Sequence, residues 1–447
     1  MKMCKKITAL FLLSTVGLTA LTGCGSSNAK PAGTQTAADG SEIINIRFMS
    51  WLSDQEEQDK AVAEAYKALH PNVNVTFEYV GSMVATDYYK TVDLMLMGGE
   101  AMDIVMTSAY PEHAERASTG SYLPLDEYFA AEGVKPEEAY TIYSPVNDQL
   151  YGIPGDVKSW LVLLNKDMLN EAGLEVPSLD WTWDDYREYA NALTQGEGAN
   201  KRYGSYFHSW DHYDYLGVWS TKKDNPIMKS ETELNFDDPN FADWLQFRYD
   251  MENVDKCSVP LSDVRSLNMN YRDQFFTGKV AMLPIGTWML SEIEDQEKYP
   301  HDFVTTFAPL PRFKDGQEGS TFTQSQYYSI AKTSTHPQEA YDFIRFYTTE
   351  GMNIKGVSIT AEANTDKMES INKMIGEAKY CDVETLDKVI NNPKWFDNIH
   401  NISPVFQKTL ATMVKEECDL YLLGDVSLDQ LIDTLTKKGQ QIIDENK

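Results

Sequence analysis

Cysteine is the first scarcity: the 447 residues hold five, and no two form a C-x-x-C pair, which excludes a disulfide scaffold. Positive charge is the second. Lys and Arg number 39 against 68 Asp and Glu, a formal net charge of −29, so the surface repels nucleic acid and anionic lipid. Anionic small molecules are disfavoured, and a cationic solute would meet a favourable field. Beyond the first residues no apolar run is long enough to span a bilayer. The chain also lacks G-x-S-x-G, H-E-x-x-H and a phosphate loop, so acyl transfer, zinc hydrolysis and nucleotide chemistry lose their usual motifs and no cofactor is expected. There is no internal repeat.

What is present begins at the N-terminus. Met1-Lys2-Met3-Cys4-Lys5-Lys6 precedes an apolar run from Ile7 to Leu21, the pattern of a secretory signal and too short for a comfortable membrane helix. It ends Leu21-Thr22-Gly23-Cys24, which resembles the lipobox of bacterial lipoproteins. That resemblance implies removal of residues 1–23, lipid attachment at Cys24 and an extracytoplasmic protein anchored to the cell membrane. Residues 24–41, rich in Gly, Ser, Ala and Thr, bury too little to fold and read as a flexible tether with a reach of roughly 20 Å. Loss of Lys2, Lys5 and Lys6 makes the mature chain more acidic still, and Cys257, Cys381 and Cys418 allow at most one disulfide.

From Glu42 onward the pattern is α/β. Ile44, Ile46 and Phe48 alternate at strand period; Ser53 to Glu56 matches a capping box, and Val62, Ala65, Tyr66 and Leu69 follow at helical spacing before Pro71. A second strand is predicted over 74–80, giving a βαβ unit. Ligands of open α/β sheets bind at the carboxyl ends of strands, which makes Trp51 a candidate, and Tyr110 another, at the end of the segment 101–110 and after its apolar run; packing at the sheet edge is the alternative for both. Thr182 caps a helix whose Trp183, Tyr186, Ala190 and Leu193 are expected core. Pro337 opens another, with Ala340, Phe343, Ile344 and Tyr347 inward and Gly351 closing it; residues 427–443 are also predicted helical.

Four segments then agree in order with one family. "YGIPGDVKSWLVLLNKDMLNEAGLEVPSLDWTWDDY", "QFFTGKVAMLPIGTW", "FAPLPRFKDGQ" and "SIAKTSTHPQEAYDFIRFYTTEG" resemble the extracellular solute-binding proteins of bacterial ABC importers, the branch that includes maltose-binding protein. Met102 stands where that family usually has Pro, and Leu164-Asn165 where it has Tyr-Asn. The resemblance implies a two-lobed α/β fold of the periplasmic-binding-protein type II, with ligand in the cleft between lobes. By analogy the first lobe takes 42–153 and 308–350, and the second 154–307 and 351–447, with crossings at Ile153-Pro154-Gly155 and Pro309-Leu310-Pro311.

The resemblance further implies that the turn Gly286-Thr287-Trp288 carries an aromatic lying under a sugar ring, with Gly286 letting the backbone turn and approach ligand; core packing of Trp288 is the alternative. "YFHSWDHYDYLGVW", 206–219, is dense in aromatics, His and Asp. Trp210 and Asp211 suit a sugar, a flat apolar face beside a carboxylate that accepts hydroxyl hydrogen bonds. His208 and His212, four apart with Asp211 and Asp214 nearby, leave a metal site as the alternative there. Asp156, Trp160 and Gln324 are further candidates beside a crossing or a strand end. The expected protein is a monomeric receptor that captures a carbohydrate, an oligosaccharide above all, by hinge closure and hands it to the membrane subunits of an ABC permease. A secreted glycosidase and a receptor for a peptide, polyamine or other small solute remain alternatives.

Overall fold

The computed structural model describes residues 36, 42–81, 85–220, 225–314, 316, 318–356, 359–363, 367–392, 394, 396–398 and 406–446. The leader, Cys24 and all of the tether except Thr36 lie outside the described residues. The chain divides into residues 1–43 and 44–447; of the former, Thr36 forms an antiparallel bridge with Glu42.

In the larger unit the described strands are β1 (Ile44–Ser50), β2 (Val73–Tyr79), β3 (Ile104–Thr107), β4 (Ile153–Asn165), β5 (Tyr203–Ser205), β6 (Met228–Ser230), β7 (Glu233–Leu234), β8 (Val280–Gly286), β9 (Thr305–Pro309), β10 (Ser320–Ile330) and β11 (Phe396–Asn398). One mixed sheet runs β2-β1-β3-β10-β4-β8-β5, with β11 on β10 and β9 on β4; β6 and β7 form a separate hairpin. β1, β2 and β3 are parallel, as short strand–helix–strand units require. β10 and β4 run antiparallel through the middle and join the two α/β lobes.

β4 does the joining because both its faces are buried, the condition under which a strand reads as a continuous apolar run. Its side chains alternate between two cores. Leu161 and Leu163 enter the one built on Ile46, Phe48, Tyr328 and Phe343; Trp160, Val162 and Leu164 enter the one built on Trp183, Tyr186, Trp219 and Trp244. The predicted helix core is observed: Trp183, Tyr186, Ala190 and Leu193 are fully buried, and Thr182 forms a capping box with Asp185. Ser427 does the same with Gln430 at the head of the last helix, Leu428–Glu445.

Three local expectations are corrected. Ser53 does not cap: backbone bonds from Ser53 to Trp51 and from Gln55 to Leu52 already make the entry turn, and the Glu56–Leu69 helix starts after it without a side-chain cap. Val62 and Tyr66 are buried, whereas Leu69, at the last turn, is 66% exposed. Gly351 does not end the helix opened by Pro337. The chain continues through a wider turn, Tyr347–Gly351, into Met352–Lys355 and stops at Gly356, whose φ of 67° suits the left-handed C-cap. Cys257, Cys381 and Cys418 are free and buried, and burial pushes the Cys257 and Cys381 thiols up to about 12. No described helix is long and apolar enough to cross a membrane.

Candidate functional site

The site begins where β5 ends. β5 pairs with β8 only as far as Ser205 opposite Met282; two residues on, Pro284 has no N–H to continue a ladder. Segment 206–219 fills that side, and its anchor is Tyr213, whose hydroxyl donates to the Pro284 carbonyl at 2.6 Å. Trp244 Nε1 donates to the Tyr213 carbonyl at 2.8 Å. Next to it Asp214 is fully buried and pairs with Arg248 at 2.8 Å, and Arg248 also binds Glu252 at 2.7 Å. With Tyr213 and Asp214 pinned inward, the preceding Trp210, Asp211 and His212 remain partly open.

Asp211 keeps 36% of its side-chain surface, yet surrounding protein is the largest upward push on its pKa; a side chain both accessible and surrounded lies in a cleft. The positive charge of His212 and hydrogen bonds from His212 and Tyr215 overcome that push and hold Asp211 well below the usual carboxylate range. Its oxygens accept from the His212 backbone N–H at 2.9 Å and the Tyr215 hydroxyl at 3.1 Å, and His212 Nδ1 lies 2.8 Å from Oδ1. Burial pulls the His212 pKa down, but Asp211, then Glu112 and Asp214, raise it above its ordinary value. The Gln324 amide on β10 meets His212 Nε2 at 2.7 Å and donates to it while the ring is neutral.

Aromatic rings wall this polar chain. Trp160 stacks on His212 with centroids 5.9 Å apart and planes 15° from parallel, and its edge contacts Trp288 at 5.7 Å. Trp288 is half-buried, 6.2 Å from Trp210, and donates from Nε1 to the Tyr271 hydroxyl at 3.2 Å. Trp160 and Gly286 are direct cross-strand partners, and the Trp288 ring folds back over that glycine: a Cβ on Gly286 would stand 1.8 Å from Trp288 Cζ3. Gly286 has φ −85°, which any residue adopts. The glycine therefore makes room for the indole rather than supplying an unusual backbone.

Trp160, Trp210, Asp211, Trp288 and Gln324 are thus brought together. Trp51 is buried at the end of β1 against Tyr88 at 5.1 Å and Tyr89 at 6.0 Å. Tyr110 opens the Tyr110–Ser118 helix, nearly buried, with its hydroxyl donating to the Pro145 carbonyl at 2.9 Å. Asp156 lies on β4 near the crossing, paired with Lys158 at 2.9 Å and accepting from the Gln326 N–H at 3.2 Å. His208 and His212 face different partners: His208 Nδ1 meets the Tyr206 hydroxyl at 2.7 Å. Among the described residues no three His, Cys, Asp or Glu side chains converge as a metal-ligand set.

Sequence reasoning missed three participants. The sequence offers His212 only as a possible metal ligand, although Asp211 beside it is the clue to a hydrogen-bonded pair. Glu112, in the first turn of the Tyr110–Ser118 helix, has its Oε2 buried with no partner among the described residues. Burial raises its pKa and Asp211 adds to the rise, while its own charge raises that of His212. Tyr271 had no signal at all, since its partner Trp288 is remote in sequence.

Residues 52–354 match the family described as bacterial extracellular solute-binding protein. The chain is 23% identical over 214 residues to the arabinooligosaccharide-binding protein of Halalkalibacterium halodurans, covering 47% of this chain and 46% of that one; the match thus spans about half the length of that relative. It is 22% identical over 369 residues to the galactooligosaccharide-binding protein of Bacillus subtilis, 78% of each chain. Among solved structures, a sugar transporter of Rhizobium etli in an open conformation aligns with a TM-score of 0.72 at 21% identity, over 90% of this chain and 99% of that one. That likeness establishes the two-lobed type II fold. With a family match over most of its length, the chain belongs to the bacterial extracellular solute-binding proteins.

Proposed function

We propose that this protein captures an oligosaccharide between its lobes and delivers it to the membrane subunits of an ABC importer, without covalent chemistry. The observation that carries the reading is the hydrogen-bonded chain Asp211–His212–Gln324 set among the rings of Trp160, Trp210 and Trp288. The partly open Trp210 and Trp288 offer faces that receive the C–H faces of sugar rings, Trp160 is fully buried and backs His212 and Trp288, and carboxylate, imidazole and amide supply acceptors and donors for hydroxyls. Glu112, with a buried oxygen unpartnered, would accept a ligand hydroxyl from the opposite side. The relatives named for arabino- and galactooligosaccharides support the same ligand class.

Binding shifts the population towards the closed form, because contacts from both lobes exist together only there. We take the first lobe as 42–153 and 308–363 and the second as 154–307 with the remainder. The last crossing, expected at 350, is drawn after Ala363, since Lys355 pairs with Asp59 of the Glu56–Leu69 helix and the 359–363 segment still pairs with Ala139, Tyr140 and Thr141. The lipobox-like Leu21-Thr22-Gly23-Cys24 supports tethering outside the cytoplasmic membrane through lipid on Cys24. The test is a thermal-shift and calorimetric screen over mono- and oligosaccharides, in which a ligand at a hundred times its Kd stabilises the fold by about 2.7 kcal/mol. A polyamine or peptide that stabilises while every sugar fails would refute the sugar reading, and release of reducing ends on incubation would refute binding without turnover.

A further inference from the structure

Beside Trp210, and separate from the Asp211–His212–Gln324 chain, lies a hollow of about 500 Å³ lined by His208, Ser209, Trp210, Asn268, Asn270 and Tyr271 among others, within the size range of small-molecule sites. Its wall is aromatic. The Trp210 indole is held by two edge contacts, from His208 at 4.7 Å and Tyr271 at 5.3 Å, so its orientation is set before any ligand arrives. Apart from Arg265, its polar groups are neutral and partly unused. Asn270 spends its Oδ1 on the Arg272 N–H, leaving its NH₂ free to donate. Asn268 is exposed on a residue with φ 46°.

The charges confirm what the hollow would not take. Burial, with help from Arg248 and Lys415, pushes the His208 pKa down to about 4, so the ring is neutral at physiological pH and its Nδ1 meets Tyr206. Arg265, the one cation among the described lining residues, is paired with Asp419 at 2.7 Å. A wall of rings with amides and a neutral imidazole lacks the charge to hold a phosphate or a metal ion; it fits a neutral polyhydroxylated ligand. Position adds the rest. Tyr271 turns its ring to the hollow and its hydroxyl to Trp288 Nε1, so the hollow adjoins the Trp288 platform.

We infer that this hollow is an outer subsite for those units of a neutral oligosaccharide that extend past the Trp288 platform. The inference rests on the sugar reading of the cleft. Every lining residue belongs to one lobe, so the subsite exists whether the lobes are open or closed, and it sets preference for chain length.

The experiment uses the full chain and two variants, Ser209→Trp to fill the hollow and Asn268→Gly to remove an amide while keeping the left-handed backbone. Calorimetric titrations with malto-, galacto- and arabinooligosaccharides run from monomer to pentamer, with denaturant midpoints to check folding. The expected result is a loss of about tenfold for the longer members with Ser209→Trp, equal to about 1.4 kcal/mol, a smaller loss with Asn268→Gly, and monomer or dimer affinity unchanged. Losses equal at every length, or none at any length in both variants, overturn the subsite and leave the sugar reading intact. A wild-type protein that binds no member of the series overturns both.

Discussion

Gly286→Ala is a small change with a calculable consequence. The backbone there is extended, φ −85° and ψ 162°, so alanine introduces no dihedral strain. The new methyl would stand 1.8 Å from Trp288 Cζ3 and 2.3 Å from Cε3, whereas carbon atoms pack at about 3.5–4.0 Å. The indole must therefore retreat by roughly 2 Å, the difference between those separations. Retreat sacrifices the Nε1 bond to Tyr271, worth about 1 kcal/mol net, and the edge contact with Trp160, worth about 0.5–1.5 kcal/mol. The expected stability loss is thus about 2 kcal/mol, the sum of those terms, inside the usual range for overpacking. Sugar affinity should fall further than for a change elsewhere in β8, by about 1–3 kcal/mol if the ring behaves as an aromatic anchor. The decisive measurement is a cycle with Trp288→Ala. Once the ring is gone the methyl has space, so Gly286→Ala should cost little in that background, and the coupling should match most of its single-variant loss. Denaturant midpoints and calorimetric Kd values for the four proteins supply both halves. Additive losses would refute the reasoning, as would a Gly286→Ala protein with unchanged affinity.

Cys24→Ala should release the protein from the membrane fraction or leave it unprocessed; unchanged fractionation would reject lipid attachment there. Addition of the cognate sugar should lower the radius of gyration in solution scattering, and tight binding with an unaltered curve would count against closure. His212 should titrate above its ordinary value of about 6.5, and Asp211→Asn should lower that pKa in an imidazole NMR titration. Because the folded value is raised, the stability His212 contributes is full below about pH 6.5 and is lost as pH climbs through the folded pKa, so Asp211→Asn should flatten stability across that window. Arg248→Ala would leave Asp214, already pushed up to about 7 by burial, and Glu252 without their cation, at a cost of about 3–5 kcal/mol; a midpoint unchanged in denaturant would contradict the buried network.

The fold was legible where local pattern and burial agree. Period two in Ile44, Ile46 and Phe48, and the spacing of Trp183, Tyr186, Ala190 and Leu193, report a single buried face, and each such side chain is fully or partly buried. β4 was visible as an apolar run but not as the strand that serves two cores, because alternation disappears when both faces are covered. Helix ends were the weakest part. Ser53 carried the right residues for a cap, but backbone bonds had already closed the turn, and Gly351 could be passed by a wider turn that only packing in the interior stabilises.

The site was legible by residue type and obscure by partner. Density of rings and carboxylates in 206–219 pointed to Trp210 and Asp211, but His212 acquires its role from Gln324, 112 residues away. No spacing rule connects them; β4 and β10 do, by running antiparallel with Lys158 opposite Gln324 and Trp160 opposite Gly286 across the other edge. The glycine illustrates the limit most sharply. Its presence two residues before a tryptophan was a visible oddity, and the available sequence rule ties glycine to unusual dihedrals or close approach. The dihedral is ordinary, so close approach is the operative half, and the approaching group is the indole itself. Trp288 can fold over its own strand only because position 286 has no side chain, and a ring held that way, with its Nε1 tied to Tyr271, has its orientation fixed before a ligand reaches it. A platform fixed in advance loses less entropy on binding than one that must be ordered by the ligand.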